Sequence, residues 1–324
     1  MITARTGATM TDSEPQKPGT DAARASEQLP DVFDERRRLI SIGYRMLGTL
    51  AEAEDAVQET YVRWYRMTDA ERAAITNPQG WLTRVMSRVC LDVLGSARAR
   101  RERYVGEWLP EPVPANLFTG TASDLTATAD PLDRVTLDDE VSTALLIVME
   151  SMTPAERVAF VLHDVFAVPF DEIATIVGRT VTAVRQLATS ARRRVRDNEV
   201  SPRNRKQHDE VLLAFAAAVS GGDLAALTAL LDPSVTLRSD GGGVVNAARR
   251  AVLGVSNVAR FMLGTVRKRS SLEFREQLTG DGVALAAIEG DQLLAIVNVK
   301  VRDGLITDVW MQVNPEKLTT WSIS

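Results

Sequence analysis

Nine basic side chains crowd the stretch from Arg179 to Lys206, against only two acids, Asp197 and Glu199. Leading into it is the run Phe170-Asp-Glu-Ile-Ala-Thr-Ile-Val-Gly-Arg-Thr-Val-Thr-Ala-Val-Arg-Gln-Leu187. With Gly178 in a tight turn and Thr180 as a cap, this reads as two short helices joined at an angle. Ile173, Val177, Val184 and Leu187 then point inward, and the second helix continues that stripe with Val181, Ala188, Ala191 and Val195. Outward are left Arg179, Thr182, Arg185, Gln186, Thr189, Arg192, Arg193 and Arg196. Short hydroxyl and amide side chains near a helix N-terminus can reach base edges in the major groove, and guanidinium groups further along can hold phosphates. A plain helical hairpin with a solvated basic face would need the turn and the charge segregation to coincide without cause.

Other chemistry is poorly provided for. Acid–base catalysis needs a titratable group in an apolar pocket. The last third of the chain offers His208, Asp240, Asp281, Glu289, Asp291 and Asp308, most of them near predicted turns where solvated or capping carboxylates are expected. His208 reads as a surface or capping histidine, so no catalytic residue is assigned. One cysteine, Cys90, and two histidines supply no metal-ligand cluster, and no metal or cofactor is expected. The lone thiol also excludes an internal disulfide and suits a reducing, cytoplasmic setting.

Helices must position these groups. Apolar residues at three- and four-residue spacing predict one over 32–47, a second from about 51 to 67, and a third starting at Asn77-Pro78 and ending in the basic run Arg98, Arg100, Arg101 and Arg103. On the second, Asp55, Gln58, Glu59 and Arg63 share an exposed flank. Pro110, Pro112 and Pro114, then a Thr/Ala/Ser/Gly-rich stretch, mark 109–135 as a linker. A second helical block follows over 136–200. After Ser201-Pro202 two helices precede strands, the clearest being Leu293–Val301 and Leu305–Val313 joined by Arg302-Asp303-Gly304, a strong hairpin signal. The expected architecture is two all-α blocks (31–108 and 136–200) and an α+β domain over 201–324. Residues 1–30 lack a signal-peptide core and read as a disordered tail, with Met10 an alternative start.

The order of these features resembles a known family. Arg45-Met-Leu-Gly-Thr-Leu-Ala-Glu-Ala-Glu-Asp-Ala-Val-Gln-Glu-Thr-Tyr-Val-Arg-Trp64, then Asn77-Pro-Gln-Gly-Trp-Leu-Thr-Arg84, then the helix-turn-helix, resembles the bacterial extracytoplasmic-function sigma factors. The resemblance implies that the first block is sigma region 2 and the second region 4. It implies core RNA polymerase (β′ clamp, β flap) and promoter DNA as partners, with Asp55, Gln58, Glu59 and Arg63 on the clamp. Trp81, Arg84, Arg88, Arg98, Arg100, Arg101 and Arg103 would serve the −10 element, and the helix-turn-helix the −35 element. Trp108-Leu109-Pro110-Glu111-Pro112, Asp240-Gly241-Gly242-Gly243 and Asn314-Pro315-Glu316-Lys317-Leu318 together resemble the subgroup with a fused C-terminal SnoaL-like cone domain, except that Val244 stands where a basic residue is usual. In that subgroup the fused domain modulates activity in cis without a separate anti-sigma factor. The three motifs are expected to meet around Trp108, and a small ligand of the third domain is conceivable but unnamed.

The 324 residues sum to a net charge of −5, with 45% hydrophobic and 25% charged residues. Taken alone, that sum argues against a general nucleic-acid binder. Basic stretches are nonetheless concentrated at 84–103 and 179–206, so weak binding of free DNA through few phosphate contacts is expected. A helix-turn-helix regulator acting alone, or an enzyme with a DNA-binding appendage, are the competing readings.

Overall fold

The structure, a computed structural model, describes residues 30–101, 104–118, 142–198, 205–269 and 271–321. The first block is built from α1 (Pro30–Leu47), α2 (Leu50–Arg66), the single-turn α3 (Asp69–Ala73) and α4 (Pro78–Arg101). Thr49 starts α2 by accepting from the Glu52 amide, and Gly48 makes the turn before it at φ +85°. Leu39, Ile42, Met46, Ala53, Val57, Leu82 and Met86 interlock between α1, α2 and α4.

The second block comprises α5 (Thr143–Glu150), α6 (Pro154–Phe160), which runs on into a π-helical turn at Val161–Val165, α7 (Phe170–Val177) and α8 (Val181–Asp197). Gly178 ends α7 at φ +68°, and Thr180 accepts from the Ala183 amide to start α8. Val184, Ala188 and Ala191 are its buried stripe. The two helical blocks are not separate bodies. One apolar core runs through both, and Arg157, buried on α6, donates to the carbonyl oxygens of Met149 (3.0 Å) and, across the boundary, Met46 (2.8 Å).

The third block opens with α9 (Arg205–Gly221) and α10 (Leu224–Ala229), then β1 (Leu231–Asp240), β2 (Val252–Leu253), α11 (Val255–Arg267), β3 (Leu272–Thr279), β4 (Gly282–Glu289), β5 (Gln292–Arg302) and β6 (Leu305–Gln312). The sheet order is β2-β1-β6-β5-β4-β3, all antiparallel except the β1–β6 pair. The β5–β6 hairpin turns at Asp303 and Gly304, both with positive φ, as an Asp-Gly turn demands. Leu212, Phe215, Val258 and Met262 from the helices fill the concave face against Val235, Leu237, Leu285, Val297 and Val309. The convex face is also covered: Ala284, Ala286, Ile288 and Ile296 lie under Leu318 and Trp321, and Trp310 lies against Leu109, Ala144 and Ile147. Burial on both faces explains why β4 is apolar from Val283 to Ile288 instead of alternating.

This is the predicted α, α, α+β order, with one addition: α11 falls in a stretch read from sequence as strand-like. Its apolar stripe, Val258, Ala259, Met262 and Leu263, is helical in period and packs into the concave core. Among the described residues no helix is long and apolar enough to cross a membrane. The N-terminal tail, linker positions 119–135 and Arg103 lie outside the described residues.

Candidate functional site

Two exposed faces carry the charges singled out in the sequence. On the helix-turn-helix, Arg179, Thr182, Arg185, Gln186, Thr189, Arg193 and Arg196 are exposed, while Arg192 is half-buried. The Arg185 guanidinium lies 5.6 Å from the centre of the Phe170 ring, which braces it beside the turn. Arg192 is held by Asp164 on the π-helical turn at 2.6 Å, and Arg193 by Asp197 one helical turn along. On α2, Asp55, Gln58 and Arg63 are exposed, and Arg63 pairs with half-buried Glu59 at 2.8 Å. Beside them Tyr61, Val62 and Tyr65 line a shallow groove whose apolar side chains face outward.

The α4 face is less free. Trp81 is half-buried, edge-on to Trp64 at 5.1 Å, so its ring completes the α2–α4 packing. Arg84 is half-buried, its Nε without a hydrogen-bond partner. Arg88 donates to the Thr175 carbonyl of α7 at 3.1 Å, joining the two helical blocks. Arg98, Arg100 and Arg101 lie on the last turns of α4, their side chains outside the described residues.

The three short motifs converge on one buried seam. Asp240, fully buried at the end of β1, accepts from the Tyr104 hydroxyl (2.6 Å), the Leu109 amide (2.9 Å), the Gly242 amide (3.0 Å), Gln312 Nε2 (3.3 Å) and Lys317 Nζ (2.8 Å). Lys317 donates again to the Leu109 carbonyl at 2.7 Å, and its ammonium sits 4.3 Å from the centre of the Trp108 ring. Asp240 and Gln312 are register partners in the parallel β1–β6 pair, which is how two distant motifs meet the linker together. Asn314 donates to the Tyr104 hydroxyl at 3.3 Å and starts the Pro315–Lys317 turn, while Trp321 Nε1 donates to the Pro112 carbonyl. Gly242, at φ +65°, allows the approach of Asn314: a Cβ there would lie 2.6 Å from its amide. Pro315 and Glu316 are exposed, while Leu318 is buried on the sheet. Gly241 is buried against Val245 and Ala247, and Gly243 is exposed opposite Val105.

The same linker segment is fastened on its other side to the first block. Trp108 reaches to within 2.7 Å of where a Cβ of Gly48 would stand. The Glu111 amide donates to the Gly48 carbonyl (2.9 Å), the Tyr44 hydroxyl donates to the Glu111 carbonyl, and the Glu111 carboxylate accepts from the Leu50 amide (2.8 Å) at the start of α2. Burial pushes the Glu111 carboxyl up to about 7. Positions 109–113, read from sequence as the start of the linker, are therefore buried between two domains.

A second seam was not foreseen. Asp281, on the β3–β4 turn, accepts from Ser142 Oγ (2.6 Å) and the Thr143 amide (2.7 Å), capping α5 from another domain. Asn298 donates to Thr143 Oγ1 at 2.9 Å. Two readings of the acidic and histidine candidates are corrected here. Asp240 and Asp281 are buried between domains instead of solvated, and His208 is 2% exposed, bridging Asp209 and the Val299 carbonyl of β5. The one sequence signal for the second seam is Ser142 itself, an N-cap residue ahead of an apolar run.

Residues 32–101 match the sigma-70 region 2 family and residues 143–195 the sigma-70 region 4 family. The chain is 40% identical over 296 residues to the ECF RNA polymerase sigma factor SigJ of Mycobacterium tuberculosis, covering 88% of this chain and 91% of that protein. It is 37% identical over 285 residues to the probable ECF RNA polymerase sigma factor SigI of the same species, covering 87% and 92%. The crystal structure of M. tuberculosis SigJ superposes with a TM-score of 0.67 at 34% identity, over 92% of this chain and all of that one.

Proposed function

We infer that this chain, which belongs to the extracytoplasmic-function RNA polymerase sigma factors, directs promoter-specific initiation with core polymerase and that its third domain governs that activity in cis. Asp55, Gln58, Glu59 and Arg63 form the face offered to the β′ clamp, and region 4 is offered to the β flap. Trp81, Arg84, Arg88, Arg98, Arg100, Arg101 and Arg103 serve the −10 element. Thr182, Arg185 and Gln186 read bases of the −35 element, while Arg179, Thr189, Arg192, Arg193 and Arg196 hold its backbone. Such a factor works in the cytoplasm, beside polymerase, and needs no separate anti-sigma factor.

The observation that carries the reading of control in cis is the contact of Arg88 with Thr175. It joins Arg88, which we assign to the −10 element, to the helix that precedes the one we assign to the −35 element. Elements named for positions 25 base pairs apart lie about 85 Å apart along a duplex rising 3.4 Å per step. The closed arrangement cannot serve both, so initiation requires the blocks to part. The Asp240 seam, which ties the linker between them to the third domain, is where that domain exerts its influence.

In vitro transcription with purified core polymerase tests this. Transcript from a cognate promoter should require both the full chain and core, and Trp108→Ala should change its yield while the chain stays folded. Duplex binding and activation by the chain without core docking would favour the lone regulator instead.

A further inference from the structure

The two seams of the third domain differ in how well their polar groups are matched. At the linker seam the two Asp240 oxygens receive five hydrogen bonds, and Lys317 gives two. At the α5 seam the opposite holds. Asn298 on β5 and Trp310 on β6 are register partners beneath α5, 3% and 4% exposed. Asn298 spends its amide nitrogen on Thr143, but its Oδ1 has no hydrogen-bond partner, and neither has Trp310 Nε1. Turning the Asn298 amide over would only exchange which end is unmet. Docking α5 thus takes an acceptor and a donor out of water and replaces neither bond, a cost that undocking removes.

We infer that the α5–sheet seam is the one that opens when the chain engages polymerase, while the linker seam stays shut. The third domain then travels with region 2 and the linker, and region 4 swings away about the end of α8, where the chain runs on into α9. Opening returns Asn298 Oδ1 and Trp310 Nε1 to water, and the contacts of Arg88 with Thr175 and of Arg157 with Met46 part in the same step. The inference rests on the sigma-factor reading only for its trigger, core polymerase.

Hydrogen exchange of the full chain, alone and bound to core polymerase, tests it. Peptides covering 143–150 should lose protection on binding while peptides covering 104–113 keep theirs. Loss of protection in both, or in neither while transcription proceeds, overturns the inference. As a second measurement, Thr143→Cys with Asn298→Cys puts thiols on two residues whose side chains now touch, with Cys90, the native thiol, buried elsewhere. Oxidation should lower core-dependent transcription at least tenfold, with recovery on adding dithiothreitol; a disulfide-linked chain that transcribes at the reduced rate overturns it. Failure of the underlying reading looks different: the reduced and unaltered chains would then give no core-dependent transcript.

Discussion

Lys317 Nζ lies 2.8 Å from Asp240 Oδ2, and the two side chains are 9% and 0% exposed. A buried pair of this kind is weak evidence for stability in itself, because both charges were taken from water. Removing one partner, however, strands the other and typically costs about 3–5 kcal/mol. Lys317→Met should therefore loosen the linker seam by that order, seen as a lower urea midpoint and as quenching of Trp108 fluorescence. Adding Asp240→Asn should recover part of the loss. Additive losses would show that the pair is not coupled.

Glu111 makes the linker seam sensitive to pH. Its carboxyl titrates at about 7 in the folded chain, raised by burial, with the Leu50 amide and Lys317 opposing the shift and Glu54 adding to it. A carboxyl raised on folding favours the folded form fully below its unfolded value near 4.3, and that advantage is lost as pH rises through about 7. The docked linker should be tighter at pH 5.5 than at pH 8. Glu111→Gln should flatten the dependence, read as Trp108 accessibility to acrylamide against pH.

Gly48 should not tolerate a side chain. Its φ of +85° strains any L-residue, and an added Cβ would meet the Trp108 indole at 2.7 Å. Gly48→Ala should destabilise by about 1–3 kcal/mol from the backbone alone, by analogy with other non-glycine residues held in strained conformations. It should also release the linker. Combining it with Trp108→Ala should relieve the steric part and leave the backbone part, separable by thermal unfolding.

The reading face of region 4 predicts two kinds of loss. Arg185→Ala or Gln186→Ala should cost about 1–3 kcal/mol in promoter discrimination if the side chain meets a base edge. Arg196→Ala should weaken binding evenly across sequences and reduce the salt slope by about 1. Footprinting of the holoenzyme on matched and mutated −35 elements, at two salt concentrations, separates them. Equal losses on both templates for Arg185→Ala would remove it from base reading.

What could be read in advance follows the range of the interactions. Gly178 with Thr180, and Asp303 with Gly304, act on backbone a few residues away, so their turns were visible in the sequence. The linker seam was anticipated only as three motifs expected to meet, because the pairing of β1 with β6 that brings Asp240 beside Gln312 is tertiary. Asp281 capping α5 spans 138 residues, and no local pattern distinguishes it from a solvated turn aspartate. His208 looked exposed because it sits in the first turn of α9, yet that turn packs on β5. Glu111 was legible only as a position in the Trp108–Pro112 motif, because its partner, the Leu50 amide, is a helix-start donor that side-chain patterns do not record.

The parallel pairing of β1 with β6 also has a consequence in time. The linker leaves the ribosome early, but Gln312, Asn314, Lys317 and Trp321, to which it is bound, are made some 200 residues later, a delay of roughly 10–40 s at 5–20 residues per second. Region 2 throughout that interval, and region 4 for its later half, exist as nascent chain without the part that fastens the linker. A newly made molecule thus passes through an unlatched stage on its way to the latched one, and only completion of the last strand and the turn after it ends that stage.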